Sequence, residues 1–285
     1  MAEIDYKLRT AILSDRSHLA NLIHFSAYLH QHLDWKPALD WIGSNPYLLI
    51  ESRGEILATM ACPPELADVS WIRLYAASSG INVSEAWQLL WKSARQELSK
   101  SGKIYIAAIS LQNWFNELLV KSQFEQVDNV VVLRWERSPA LPLPPRNNTV
   151  IRMMLPEDLE IVESIDYEAF DTIWKNSRES LELAYHQSAL ATLAICDDEI
   201  VGYQFSTISA MGGHLARLAI RKSMQGKGIG YRIVHDLLNQ FMRQGIDRVT
   251  VNTQGKNSAS LALYKKSGFK ITGEAYKVYQ YVLGV

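Results

Sequence analysis

The sequence predicts an α/β protein of the α+β kind, built as two tandem domains, each a mixed, mostly antiparallel sheet flanked by helices. Three observations carry this. Short segments recur in order at one offset, a proline-rich stretch lies at the centre of the chain, and β-rich runs alternate with helical apolar spacing in each half.

The repeat is read first. Lys7-Leu8-Arg9 followed by Ser14-Asp15 matches Val150-Ile151-Arg152 followed by Glu157-Asp158, 143 residues on, and each pair looks like a strand entering a capped helix. Glu55-Ile56-Leu57-Ala58 matches Glu199-Ile200-Val201-Gly202 at 144, each after an apolar run and a polar turn, which is a hairpin pattern. Arg73-Leu74 matches Arg217-Leu218 at 144; residues 104–106 match 249–251, and Lys121-Ser122 with Phe124 matches Lys266-Ser267 with Phe269, both at 145. Five matches in one order point to a duplicated domain. Pro139, Pro142, Pro144 and Pro145 break any helix or central strand between the copies. The expected division is therefore 1–138, a linker at 139–148, and 149–285.

Within each half the order reads strand, one or two helices, three strands, helix, strand, helix, strand. In the second half, residues 192–195 and 200–209 form the hairpin and 214–220 the next strand. Residues 230–245 carry Ile233, Val234, Leu237, Leu238, Phe241 and Met242 on one helical face. A strand at 248–252, a short helix at 258–267 and a closing strand at 275–282 complete the domain.

Composition narrows the function. Of 285 residues, 48% are hydrophobic and 21% charged, and 29 basic against 30 acidic side chains leave a formal charge of −1. No global positive field draws nucleic acid or an anionic membrane, so any phosphate site is local. Two cysteines, Cys62 and Cys196, make neither a disulfide framework nor a metal motif, and no metal is expected. The N-terminus lacks the basic-then-apolar order of a signal peptide and no apolar run reaches membrane-span length, so a cytoplasmic location is expected.

The chemistry lies where the strand ending at Ile220 runs into Gln225-Gly226-Lys227-Gly228-Ile229-Gly230 and then a helix. Glycines at such a junction let backbone amides approach an anion, and the helix N-terminus supplies unpaired donors, so a phosphate or pyrophosphate is the natural ligand. A P-loop is excluded because Gly228, not Ser or Thr, follows Lys227; a dinucleotide fingerprint is excluded because Tyr231 holds the place of its third glycine.

The spacing fits the Q/R-x-x-G-x-G/A motif, and residues 149–285 resemble the GCN5-related N-acetyltransferases. A second stretch, Asn257 to Phe269, looks like the family's N-x-x-A-x-x-x-Y-x-x-x-G-F signature, with Leu261 where alanine is common. The resemblance implies acetyl-CoA as acyl donor. Backbone groups of Leu218, Ala219 and Ile220 would pair with the pantetheine arm, amides of Gln225, Gly226, Lys227, Gly228, Ile229 and Gly230 would hold the pyrophosphate, Asn257 would contact the pantetheine region and Tyr264 would protonate the departing thiolate. It also implies a primary amine of a small molecule or peptide as acceptor, attacking directly in a ternary complex. Relatives often carry a glutamate as base, but Asn252 stands at one such position; His214 has a suitable intrinsic pKa, or simply caps the strand beside Gly212-Gly213. An acyl-CoA-binding regulatory module is the alternative to an enzyme. Nucleic-acid binding through Arg217, Arg221, Lys222 and Lys227 is a third reading, for which a CoA phosphate accounts equally well. Residues 166–185 mix acids with aromatics, either as a wall for a cationic amine or as an amphipathic helix pair.

The first half lacks these motifs. Residues 78–85 contain one glycine and an acid where the second half has its loop, and Leu119 and Gln123 replace Tyr264 and Gly268. Seven of the eight tryptophans fall in this half, where packing is their default use. It is expected to be a degenerate copy without a cofactor site.

Overall fold

The computed structural model describes residues 6–137, 143–144 and 148–284, so most of the expected linker lies outside the described residues. Contacts divide the chain into two compact units. One runs to Val127 and resumes at Lys277, and the other spans Asp128–Tyr276.

The first unit opens with β1 (Lys7–Thr10), α1 (Arg16–Phe25), β2 (Tyr28–Gln31), β3 (Tyr47–Ser52), β4 (Glu55–Ala61), β5 (Pro64–Leu66), β6 (Val69–Trp71) and β7 (Leu74–Ala77). It continues through α2 (Val83–Leu98), β8 (Ile104–Ser110) and α3 (Asn113–Lys121). Its five-stranded antiparallel sheet has the order β1-β3-β4-β7-β2. Trp87, Trp91, Phe115 and Tyr75 centre its main apolar cluster, with Trp87 and Tyr75 meeting edge to face at 5.0 Å, so these tryptophans are core, as their default use suggests. The chain leaves the unit along β9 (Glu125–Glu136).

The second unit contains β10 (Val150–Met153), α4 (Leu159–Ala169), α5 (Arg178–Gln187), β11 (Leu190–Cys196), β12 (Glu199–Ser209), β13 (Gly212–Ile220), α6 (Ile229–Arg243), β14 (Arg248–Gln254), α7 (Ser258–Lys266) and the start of β15 (Lys270–Leu283). Neighbours are antiparallel from β10 to β13, β13 is parallel to β14, and β14 is antiparallel to β9. Of the apolar stripe of α6 read from the sequence, Ile233, Val234, Leu237, Leu238 and Phe241 are buried and Met242 is half-buried; most of it joins a cluster with Leu215, Val249, Val251 and Trp135. Each such side chain contributes roughly 1.5–3 kcal/mol on burial. α4 packs on β12 and β13, and α5 on β12.

The contiguous halves are exchanged at their last strands. Val130–Glu136 pairs with all of β14, from Gln254 back to Arg248, and residues 277–283 pair with β8. Strand pairing, which the proline signal does not report, draws the boundary of each unit.

The duplication is written in atoms as well as letters. Arg9 forks onto Asp15 at 2.7 and 2.8 Å while that carboxylate accepts from the Ile12 amide at 2.8 Å. Arg152 forks onto Asp158 at 2.6 and 2.7 Å while that carboxylate accepts from the Leu155 amide at 2.7 Å. Both two-residue hairpin turns, Arg53-Gly54 and Asp197-Asp198, have positive φ throughout, the conformation that matches strand twist. Each is preceded by a bulge at the equivalent step, Ile50/Glu51 and Ala194/Ile195.

His30 is buried in the first unit, its Nε2 3.1 Å from the Ile72 carbonyl and its ring stacked on Phe115 at 3.9 Å. Burial pushes its pKa down to about 4. The unfolded chain therefore binds an extra proton between roughly pH 6.5 and that value, and stability falls as pH falls through this window. Replacing His30→Gln is expected to flatten the fall in unfolding free energy by up to about 1.4 kcal/mol per pH unit. Denaturant titrations across the window check it, and an unchanged slope would show that the imidazole protonates in place.

Candidate functional site

β13 pairs with β14 for only three residues, Gly213, His214 and Leu215, and then diverges from it. On its other side β13 stays paired with β12 as far as Ile220, with a register shift that leaves Ala216 as an extra residue. A bulge of this kind bends a strand and increases its twist, so it turns residues 216–220 away from β14 and leaves their outer edge without a strand partner. Gly202 on β12 is what lets the strand lie there. A Cβ at that position would meet Ile220 Cδ1 at 2.4 Å and the Ala219 carbonyl at 2.8 Å.

The open edge leads directly into the glycine loop. Gln225 donates from Nε2 to the Ile220 carbonyl at 3.0 Å, closing the strand's end. Gly226 and Gly228 have φ of +76° and +81°, and nothing lies within 4 Å of where a Cβ on Gly226 would stand. Gly228 caps α6 in the left-handed conformation, so the amides of the first turn have no acceptor within the helix.

A cleft of about 670 Å³ follows this edge and loop, within the second unit. Leu218, Ala219, Ile220, Gln225, Gly226, Gly228, Ile229, Gly230 and Asn257, all singled out in the sequence, line it together. Three residues do not. Lys227 turns to Met224, with Nζ 3.3 Å from the sulfur. Tyr264 is 5% exposed and packs at 5.7 Å on Phe269, between Leu263 and the turn carrying Lys266, both of which do line the cleft. No described residue hydrogen-bonds its phenol, and burial raises the pKa of that group, so it stays protonated.

His214 is a correction of place. It lies four residues before Leu218, about 13 Å along a strand, where its Nδ1 meets Thr250 Oγ1 at 2.9 Å. Burial lowers its pKa. It sits in the paired part of the sheet and does not line the cleft.

Asn257, a lining residue, caps α7 with its Oδ1 accepting from the Ser260 amide at 3.0 Å, a bond that does not use its Nδ2 donor. Lys256 and Lys266 add positive charge to the lining, and Lys266 lies 5.2 Å over the Tyr231 ring in the first turn of α6. Asp128 and Asp171 bring two carboxylates, while Phe170 and Trp174 bring aromatic surface.

Sequence reasoning missed the group behind that wall. Arg217 Nε donates to Asp166 Oδ2 at 2.6 Å, Tyr203 donates to the same oxygen, and Arg217 Nη2 donates to the Trp174 carbonyl at 2.7 Å. The Asn176 amide donates to Asp166 Oδ1 at 2.9 Å, and the guanidinium lies 3.8 Å over the Phe170 ring. Asp166 is fully buried. Burial opposes the charge on Arg217, and Tyr203 and Asp166 outweigh it, holding the pKa above its ordinary value. Arg221 pairs with Glu168 at 3.0 Å, and the Lys222 amide donates to that carboxylate at 2.6 Å. Two of the four cations in the supposed nucleic-acid patch are thus committed to α4. The acid and aromatic content of residues 166–174 was the available signal, and two of its acids, Asp166 and Glu168, bind arginines.

Residues 156–280 match the family described as "Acetyltransferase (GNAT) domain". The second unit is thus similar to GNAT acetyltransferase domains over most of its length. An uncharacterized N-acetyltransferase of Methanocaldococcus jannaschii is 25% identical to it over 122 residues, 42% of this chain and 78% of that protein. A peptidyl-lysine N-acetyltransferase of Salmonella typhimurium is 34% identical over 84 residues, 29% of this chain; the match spans about half, 52%, of that relative's length. Over the whole chain, a tandem GNAT protein from the clavulanic acid biosynthesis pathway has the same fold, with TM-score 0.63 and 11% identity over 98% of both chains. That likeness shows a shared fold along the whole chain, and the matched relatives support an acyltransferase.

Gly202→Val is expected to destabilise the second unit by about 1–3 kcal/mol through overpacking against β13. A lowered urea midpoint with an unchanged slope checks this, and wild-type stability would mean that β13 yields freely.

Proposed function

We propose that residues 149–285 transfer an acetyl group from acetyl-CoA to a primary amine of a small molecule or peptide, by direct attack in a ternary complex. The observation that carries this is the unpaired edge of β13 running without interruption into the glycine-lined N-terminus of α6. An extended amide chain adds to such an edge as a strand would, and a pyrophosphate fits a helix N-terminus whose glycines leave the amides bare.

The fit can be followed group by group. Leu218, Ala219 and Ile220 present backbone donors and acceptors to the pantetheine arm. Gly226 offers room at the loop, Gly228, Ile229 and Gly230 offer amides, and Lys266 beside the first turn of α6 balances phosphate charge. Asn257 retains its Nδ2 donor after capping α7. Acetyl-CoA, when bound, supplies an acyl group activated as a thioester.

An alkylamine of pKa near 10.4 is free in only about one molecule in 10³ at pH 7, so the acceptor arrives as a cation. Asp128 and Asp171 attract it, and they are the carboxylates of the cleft wall that can take its proton. His214 lies outside this path. Tyr264, neutral and with its phenol uncommitted, is the group we assign to protonate the leaving thiolate. Cys62 is buried in the first unit and Cys196 lies outside the cleft lining, so direct transfer is favoured over an acyl-enzyme.

Calorimetric titration of acetyl-CoA should saturate near one per chain, and Gly228→Asp should abolish it, because a side chain and a negative charge would enter the cradle. Two sites per chain would overturn the silent role of the first half. Tyr264→Phe should lower kcat at least tenfold with acetyl-CoA affinity nearly unchanged, read by thiol release with an amine panel; unchanged kcat would remove Tyr264 from the reaction. Binding without thiol release for any amine would assign the acyl-CoA-binding regulatory module instead.

A further inference from the structure

The two copies treat the same strand edge in opposite ways. At the 144-residue offset Leu218–Ile220 corresponds to Leu74–Ala76, and in the first unit that edge is filled. β2 pairs with β7 in antiparallel register, Tyr28 with Ala77, Leu29 with Ala76, His30 with Tyr75 and Gln31 with Leu74. The chain thus places its own strand along the edge where, on the reading above, the second unit receives the pantetheine arm.

The counterpart of β2 in the second unit is the segment 171–175, which follows α4 as β2 follows α1. Its Thr172, Ile173 and Trp174 are residue types suited to a strand, yet they form a 3-10 turn on the cleft wall. Polar contacts hold them there. Arg217 donates to the Trp174 carbonyl, Asp166 receives the Asn176 amide, and Asp166 and Arg217 are bound to each other and to Tyr203 beneath Phe170. In the first unit the equivalent arginine, Arg73, is occupied by Asp34 at 2.6 Å and by Glu65, so it makes no such bond to the strand that fills the edge.

We propose that Arg217, with Asp166 and Tyr203, is a positioning latch that pins residues 171–176 to the face of the sheet and so keeps the edge of β13 open for acetyl-CoA. Without the latch the segment competes for that edge as β2 does in the first copy, and apparent affinity drops by the fraction of molecules left open. This rests on the acetyl-CoA reading of the cleft.

The test compares wild type with Arg217→Met, Arg217→Lys and Tyr203→Phe in the full chain, by acetyl-CoA calorimetry, circular dichroism and amide hydrogen exchange of the free protein. Arg217→Met should stay folded, bind acetyl-CoA at least tenfold more weakly and show slower exchange at residues 216–220, because the edge is now covered. Arg217→Lys keeps the charge beside Asp166 but loses the reach to the Trp174 carbonyl, and should weaken binding three- to tenfold with the same direction of exchange. Tyr203→Phe should cost less than threefold. If Arg217→Met does not fold, Arg217→Lys decides alone. Wild-type affinity in a folded Arg217 variant overturns the latch, as does weakened binding with unchanged or faster exchange at 216–220, which is what general loosening would give. Wild-type protein that fails to bind acetyl-CoA refutes the cofactor reading, while the exchange of 216–220 still reports on the latch.

Discussion

β13 and β14 stay together for three residues, and the cleft exists because they then part. A parallel pair that ran its full length would leave no edge to receive a ligand and no gap for the glycine loop to overlook. The divergence is set by the extra residue at Ala216 and by the close approach that Gly202 permits on the other side. Both are backbone matters, which is why the lining is largely small or aliphatic residues and main chain. Charge enters through a few side chains, Lys256 and Lys266 on one hand and Asp128 and Asp171 on the other.

Much of this was legible in the sequence, for a definite reason. The loop from Gln225 to Gly230 is a local device whose chemistry depends on consecutive residues, and so is the α7 cap at Asn257. The α6 stripe obeys its period, and the duplicated arginine-aspartate forks announce themselves within six residues. The parts that were not legible are joined across long stretches of chain. Arg217 meets Asp166 across 51 residues, and a sequence that shows an arginine among lysines near a phosphate loop gives no sign that it is buried. His214 looked suitable by intrinsic pKa alone, but strand rise carries it out of reach of the cleft. The boundary followed proline, whereas the strands followed hydrogen bonds.

The two copies also show how little sequence change separates an open groove from a filled one. The same strand, the same preceding hairpin with its bulge and two-residue turn, and an arginine at the same offset occur in both. One arginine reaches a backbone carbonyl on the neighbouring segment, the other is claimed by two acids. The first copy thus differs from the second in packing as well as in its missing glycines.

The exchange of final strands has a practical consequence for dissecting the protein. A cut in the proline-rich stretch would take residues 128–136 from the sheet to which they belong, baring Arg248–Gln254 along its length, and would take residues 277–283 from β8. Each fragment would expose an unprotected strand of the kind that recruits foreign partners and aggregates. The second unit is thus not a portable module: a version cut at the prolines would need the strand from Glu125 onward grafted back, and during synthesis β8 waits for residues 277–283 to pair with it.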